Sequence, residues 1–168
     1  MKKTLIPVCN IMGVNIAAIN MHWLIDFTKK YVKELSGDYM CVSNVHTTVM
    51  SYDDAAYCAV QNGGIMAIPD GGPLSSVGRK RGFSGMERTT GPDYLKEVLK
   101  ISAEEGYRHF FYGSTEETLE KLQKHLHETY PEIQVAGMYS PPFRTLSPEE
   151  DLEIIQMINE FFQKQKTI

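Results

Sequence analysis

The run Gly64-Ile65-Met66-Ala67-Ile68, followed at once by Pro69-Asp70-Gly71-Gly72, constrains this chain more than any other stretch. A short segment without a polar side chain, bounded by turn residues, reads as a buried strand. The proline, aspartate and paired glycines then force a sharp turn, and Gly71 and Gly72 leave space for a ligand to approach the main chain. Open α/β sheets keep their chemistry at strand ends of this kind. Asp70 is therefore the first candidate for a catalytic group. It is equally a candidate cap for the next helix or the centre of an Asx turn, and the local sequence leaves both open.

Helix-like and strand-like segments alternate along the rest of the chain. Ile11 to Ile16 reads as one or two short strands around a glycine turn, leading into a helix from about Asn20 to Leu35 that Ser36-Gly37-Asp38 ends. Tyr39 to Asn44 is a strand, and a single helix is expected from about Thr47 to Val60. After the strand carrying Asp70 come a short helix near Pro73 to Lys80 and a polar loop, and Pro92 opens a helix that Gly106 closes. Arg108 to Gly113 is a strand. Ser114-Thr115-Glu116-Glu117 is a capping box with Ser114 at the cap, opening a helix to about Glu128 that the pairs Glu117/Lys121 and Glu120/Lys124 support. Ile133 to Gly137 is the last strand, and Ser147-Pro148-Glu149-Glu150 is a second capping box before the final helix. Such alternation implies β-α-β crossovers. The expected fold is α/β: a Rossmann-like, mostly parallel sheet flanked by helices, with a short N-terminal β-hairpin. A length of 168 residues with 42% apolar content buries a real core and points to one domain over 1–168. A crossover helix should lead to another parallel strand, yet residues 161–168 leave no room for one. The last helix is thus a terminal cap, or the sheet is cut short, and a cut sheet exposes apolar surface that invites self-association.

Several function classes are disfavoured. A formal charge of −4 with mixed signs gives no electrostatic footprint for nucleic acid, and the compact basic cluster Arg79-Lys80-Arg81 reads as a solvated helix end. Cys9, Cys41 and Cys58 are widely spaced and form no Cys-x-x-Cys pair, which fits packed thiols in a reducing cytoplasm. No apolar run reaches the roughly 18 residues that span a bilayer. Lys2 and Lys3 precede a short apolar stretch, but Asn10 and Asn15 interrupt it and no good cleavage site follows.

Four expected strand ends gather polar groups: Ser43-Asn44-Val45-His46, Pro69-Asp70-Gly71-Gly72, Tyr112-Gly113-Ser114-Thr115 and Gly137-Met138-Tyr139-Ser140-Pro141-Pro142. Carboxylate, amide, imidazole, hydroxyl and free backbone N–H groups together suit a sugar or nucleotide. Gly113-Ser114-Thr115 at a strand-to-helix junction could hold a phosphate, though the capping box already accounts for Ser114. His46 is placed to bond a ligand or act as a base, or to cap the following helix. Arg88 could pair with a diphosphate and Asp93 could anchor it or bind a sugar hydroxyl; the alternatives are a surface charge and a complement to the helix dipole. His125 and His127 face different sides of a helix, and neither His-Glu-x-x-His nor Asp-x-Asp occurs, so no metal site and no divalent cofactor are expected.

Gly13-Val14-Asn15-Ile16, Asn44, Pro69-Asp70-Gly71, Glu87-Arg88-Thr89-Thr90-Gly91-Pro92-Asp93, Phe111-Tyr112-Gly113 and Tyr130-Pro131-Glu132-Ile133-Gln134-Val135-Ala136-Gly137 succeed one another along nearly the whole chain. In order and spacing they resemble the motifs of the WecG/TagA/CpsF glycosyltransferases, bacterial enzymes that add an N-acetylmannosamine-type or related sugar to a lipid-linked acceptor. Glu87 to Asp93 looks like the family's Glu-Arg-Val-x-Gly-x-Asp, and Pro69-Asp70-Gly71 like its Asp-Gly signature. The resemblance implies a UDP-sugar donor, a polyprenyl-diphosphate-linked acceptor, inversion, and Asp70 as general base in cell-surface polysaccharide or teichoic acid synthesis. It places substrate contacts at Asn44, His46, Gly71, Arg88, Gly91 and Asp93, and nucleotide contacts at Tyr112, Gly113, Ser114, Gly137 and Tyr139. It implies a cytoplasmic location, peripheral at the inner face of the cell membrane.

The departures are specific. A Thr two residues before the family's Asn is Val42 here, and its Gly-Tyr-Phe turn is Ser140-Pro141-Pro142-Phe143. The family's later Gly-x-Pro-x-Gln-Glu strand and basic tail have no counterpart in these 168 residues. The alternative reading is accordingly a non-catalytic nucleotide-sugar binding or interaction module derived from the family.

Overall fold

The computed structural model describes residues 2–163, which adopt the expected mixed α/β fold. Strands β1 (Val8–Ile11) and β2 (Val14–Ala17) form the N-terminal antiparallel hairpin. Met12 and Gly13 both have positive φ (52° and 91°), the backbone that a two-residue hairpin turn with matching twist requires. Asn62 clamps this turn from outside, accepting from Asn15 N–H and donating to the Gly13 carbonyl, each at 2.9 Å. Helix α1 (Met21–Tyr31) starts where the Asn20 side chain accepts from Trp23 N–H, and it buries Leu24, Phe27 and Thr28.

Strand β3 (Met40–Ser43) leads into two helices rather than one, α2 (Val45–Asp53) and α3 (Ala55–Gly63). The expected helix over 47–60 breaks at Asp54, whose extended backbone and side-chain bonds to the Ala56 and Tyr57 N–H groups start a fresh helix. Strand β4 (Met66–Pro69) follows, entirely buried. The first four-stranded sheet runs β1-β2-β4-β3, with β4 parallel to both β2 and β3. Met66 and Ile68 pack on one face with Leu24 and Phe27, while Ala67 packs on the other with Ile16, Leu74 and Met86. Each fully buried aliphatic side chain of this sort contributes about 1.5–3 kcal/mol. That two-sided burial is why the strand carries no polar side chain.

Helix α4 (Gly72–Lys80) ends in the basic cluster, which is stitched into the fold: Arg79 donates to the Met86 carbonyl at 2.9 Å and Arg81 to the Asn10 carbonyl. Near the amino terminus, Lys3 Nζ donates to the Asn62 carbonyl and, at 2.6 Å, to that of Gly64, satisfying orphan acceptors where α3 ends. Helix α5 (Gly91–Glu105) is closed by Gly106 at φ 66°.

The chain divides into two compact units, one ending at Val98 and the other beginning at Leu99. In the second, β5 (Arg108–Tyr112) and β6 (Gln134–Tyr139) pair in parallel, with a register shift between His109 and Phe110. Leu99, Leu126 and Ile133 form its buried centre. The His109 ring bonds Ser102 Oγ at 2.6 Å, and burial pushes its pKa below the ordinary histidine value. Helix α6 (Glu116–Thr129) is capped by Thr115, not Ser114. Gly113 and Ser114 both take positive φ (123° and 64°), so the turn consumes one more residue before the helix begins. Lys121 pairs with Glu117 as expected, and Lys124 reaches Glu128. Helix α7 (Pro148–Gln163) opens with the expected box: Glu150 N–H donates to Ser147 Oγ and Ser147 N–H to Glu150. Among the described residues, no helix is long and apolar enough to cross a membrane.

Candidate active site

Asp70 sits at the carboxyl end of β4 because its own N–H is held by the Ser43 carbonyl of β3 at 2.8 Å. Ser43 is in turn fixed from behind. Its buried hydroxyl donates to Gln61 Oε1 of α3 at 2.5 Å, and Gln61 Nε2 donates to Tyr57 Oη at 3.3 Å. The Asp70 side chain retains 23% of its surface, and Arg88 Nη2 lies 3.9 Å from Oδ1. Arg88 arrives there because its segment is sewn to the sheet: Glu87 N–H donates to the Ile19 carbonyl at 3.0 Å and Thr89 N–H to the Pro69 carbonyl at 2.8 Å. Thr89 and Thr90 are buried while Glu87 and Arg88 point outward. The result is a carboxylate and a guanidinium presented together at the end of the β4–β3 pair.

Around this pair the other expected substrate residues divide. Gly71 lies beside Asn44, since a Cβ on Gly71 would stand 3.9 Å from the Asn44 Cα. Asn44 is the cap of α2, its side-chain oxygen accepting from Thr47 N–H while Thr47 Oγ1 accepts from Asn44 N–H, each at 3.0 Å. The cap of α2 is therefore Asn44 and not His46, which lies exposed in the first turn of that helix. Gly91 is where α5 passes Val42, and a Cβ there would meet Val42 Cγ1 at 3.2 Å. Asp93 is engaged in a local cap: Thr90 Oγ1 donates to Asp93 Oδ2 at 2.6 Å and accepts from Asp93 N–H at 3.1 Å.

The second unit carries its own cleft of about 910 Å³ at the carboxyl ends of β5 and β6, lined by Gly113 to Glu117 and by Ser140 to Phe143. Gly113 N–H donates to the Tyr139 carbonyl at 2.9 Å, and Ser140 Oγ to the Ser114 carbonyl at 2.7 Å, which fixes the two strand ends together. The rings of Tyr112 and Tyr139 lie 6.0 Å apart across the ladder. Gly137 has a packing role: a Cβ there would stand 2.7 Å from the Phe110 ring and 3.3 Å from that of Phe161. Phe143, fully exposed on the rim, is a cleft residue that strand-end reasoning misses. The prolines at 141 and 142, which stiffen the approach to it, are the signal that could have found it. The loop beyond is tied by Arg144, whose two nitrogens bond both Glu150 oxygens at 2.8 and 2.5 Å; that guanidinium holds the Glu150 carboxyl down at about 2.

Among the described residues, no three His, Cys, Asp or Glu side chains are grouped as a metal site. Burial raises the pKa of the Cys41 thiol, so it is held in the unreactive form.

The model of the WecG/TagA/CpsF glycosyl transferase family matches residues 9–164. An N-acetylglucosaminyldiphosphoundecaprenol N-acetyl-beta-D-mannosaminyltransferase of Bacillus subtilis (strain 168) is 24% identical over 119 residues, which cover 70% of this chain and 46% of the relative. The chain thus spans about half the length of the curated relative that it matches. With its fold, its Asp70 strand end and a family match running from residue 9 to residue 164, the chain belongs to the WecG/TagA/CpsF glycosyltransferase family.

Proposed function

We propose that this chain supplies the catalytic base of an inverting glycosyltransferase of cell-surface polysaccharide or teichoic acid synthesis. The donor is a UDP-sugar carrying N-acetylmannosamine or a similar hexosamine, and the acceptor is a sugar on a polyprenyl diphosphate, met at the inner face of the cell membrane. The observation that carries the reading is Asp70, held by its main chain at the end of the buried central strand and left with an accessible carboxylate beside Arg88. The activity for which the Bacillus subtilis relative is named supports the donor sugar and the lipid-linked acceptor.

In this mechanism Asp70 takes the proton of the acceptor hydroxyl while that oxygen attacks the anomeric carbon. The bond from that carbon to the diphosphate breaks, and UDP leaves with the electron pair. Arg88 offers a forked cation for the diphosphate charge. Tyr112, Gly113, Ser114 and Tyr139 are assigned to the nucleotide, with Phe143 added on the rim of their cleft. Gly137 is assigned to packing beneath Phe110 instead. No divalent cation is part of the reading, in keeping with the absence of Asp-x-Asp from the sequence.

Release of UDP from UDP-N-acetylmannosamine, measured with and without a polyprenyl-diphosphate-linked N-acetylglucosamine, tests it. Turnover that requires the acceptor and falls ~10²–10⁴-fold in Asp70→Asn is the expected result. Unchanged turnover in Asp70→Asn removes Asp70 from the mechanism, and calorimetric UDP binding by the parent chain without turnover gives the chain to the non-catalytic module.

A further inference from the structure

Helix α3 turns a polar side chain to the core and an apolar one to water. The residue it buries is Gln61, 6% exposed, while the neighbouring Val60 is 53% exposed. An amphipathic helix ordinarily does the reverse. What meets Gln61 inside is Ser43, the last residue of β3, whose fully buried hydroxyl donates to Gln61 Oε1 at 2.5 Å. A methionine facing an alanine would fill the same space without burying a hydroxyl and an amide that must find each other. What the polar pair adds is direction. A hydrogen bond fixes where Ser43 sits along the helix, whereas an apolar contact fixes only how closely it packs.

Direction matters here because of what else Ser43 holds. Its carbonyl accepts the Asp70 N–H at 2.8 Å, and the next residue, Asn44, lies beside Gly71. Strand β3 is the edge of its sheet and Ser43 its last residue, where a strand frays most readily. Pro69, opposite Ser43 in the ladder, has no N–H to lend. Helix α3 is a firm base from which to hold such an end. Asp54 caps its start, and Asn62 and Lys3 tie its last turn to the hairpin and to the amino terminus. Gln61 Nε2 also meets Tyr57 Oη, one turn back, at 3.3 Å, which orients the amide. We infer that Gln61 is a positioning residue: from α3 it holds the end of β3 through the Ser43 hydroxyl, and the Ser43 carbonyl in turn holds the Asp70 main chain where the carboxylate reaches the acceptor hydroxyl. The inference rests on Asp70 being the base, as proposed above.

Two variants of the whole chain test it. Gln61→Met keeps the length and volume of the side chain and takes the amide acceptor from the Ser43 hydroxyl. Ser43→Ala combined with Gln61→Met makes the contact apolar on both sides, which is expected to return the urea midpoint toward the parent's. In both variants the Asp70 amide, followed by NMR, is expected to exchange with deuterium more than ~10-fold faster than in the parent, while the Ala67 amide in the middle of β4 keeps its rate. In acceptor-dependent release of UDP, kcat is expected to fall ~10²-fold in both at a KM within about twofold of the parent's, as for a base displaced by about 1 Å. If Gln61 is merely structural, kcat returns together with the midpoint in the double variant, and the inference falls. It falls equally if kcat is unchanged in both variants, or if the Asp70 amide exchanges at the parent's rate in both. The double variant carries the test if Gln61→Met does not fold. A folded parent without turnover refutes the assigned reaction, and the exchange rates then decide whether Gln61 holds the strand end.

Discussion

Gly137→Ala separates a glycine kept for packing from one kept for ligand approach. A Cβ at this position would lie 2.7 Å from Phe110 Cε2, 3.0 Å from Cδ2 and 3.3 Å from Phe161 Cδ1. Carbon atoms prefer roughly 3.5–4.0 Å, so the Phe110 ring must withdraw by something near 1 Å. Its movement is restricted by the neighbouring Phe161 ring, 5.6 Å away between centroids and itself in the path of the new Cβ. Overpacking of this kind costs about 1–3 kcal/mol. Replacing glycine restricts the unfolded chain and returns about 0.4–1 kcal/mol. The net expectation is a loss of about 1 kcal/mol, and with a urea slope of about 1–3 kcal/mol/M the midpoint falls by about 0.3–1 M. Phe110→Leu gives the ring's volume back, so in the Gly137→Ala background it should be far less costly than in the parent, with a coupling of at least ~0.5 kcal/mol. Urea unfolding followed by circular dichroism on the four proteins reads both quantities. A Gly137→Ala midpoint at or above the parent's, or additive effects of the two changes, would refute the packing argument.

Two further outcomes follow from local chemistry. His109 is held neutral by burial, with a pKa below its unfolded value; above about pH 6.5 it contributes no pH dependence, and as the pH falls below that the unfolded chain takes up a proton that the folded chain refuses. Stability should therefore drop on acidification through that window, and the drop should shrink in His109→Gln; equal urea midpoints for the parent at pH 7.5 and pH 5.5 would contradict the burial argument. Asp54→Ala removes the cap that starts α3 and should cost about 0.5–2 kcal/mol, while Asp54→Ser should retain most of the stability; a neutral Asp54→Ala in urea unfolding would mean that packing alone sets the break.

Elements whose signals were purely local could be read from the residues. The apolar run of β4 marks its burial on both faces in its own composition, and the Ser147–Glu150 box forms as its spacing requires, because its two partners lie three residues apart. The break at Asp54 was hidden because a helical pattern runs through it, and a single aspartate is too common to mark a cap. The cap of α6 falls at Thr115, one residue beyond the place that the Ser-x-x-Glu spacing predicts, because Ser114 adopts a positive φ that serine rarely takes. In the site, Asp70 was legible from its strand-end turn. Its support was not: the bonds from Ser43 to Gln61 and from Thr89 to Pro69 join residues 18 and 20 apart by way of tertiary structure. Asn44 and Asp93 show the converse, since their polar side chains are engaged by neighbouring caps. The inward Gln61 and outward Val60 of α3 follow from no composition rule, because periodicity gives a stripe but not the side on which the core lies.

The strand order β1-β2-β4-β3 sets a sequence of assembly. Strands β2 and β3 each pair with β4 and not with each other. During synthesis the hairpin and the third strand must therefore wait for β4, which closes the gap between them like the last plank of a floor. The residue that emerges directly behind that plank is Asp70. Its N–H bonds to Ser43, on the strand across that gap, so the Asp70 main chain is fixed only when β4 has paired with β3. A partly built sheet would expose unpaired edges on both sides of the opening, but it would not hold the Asp70 main chain at the strand end.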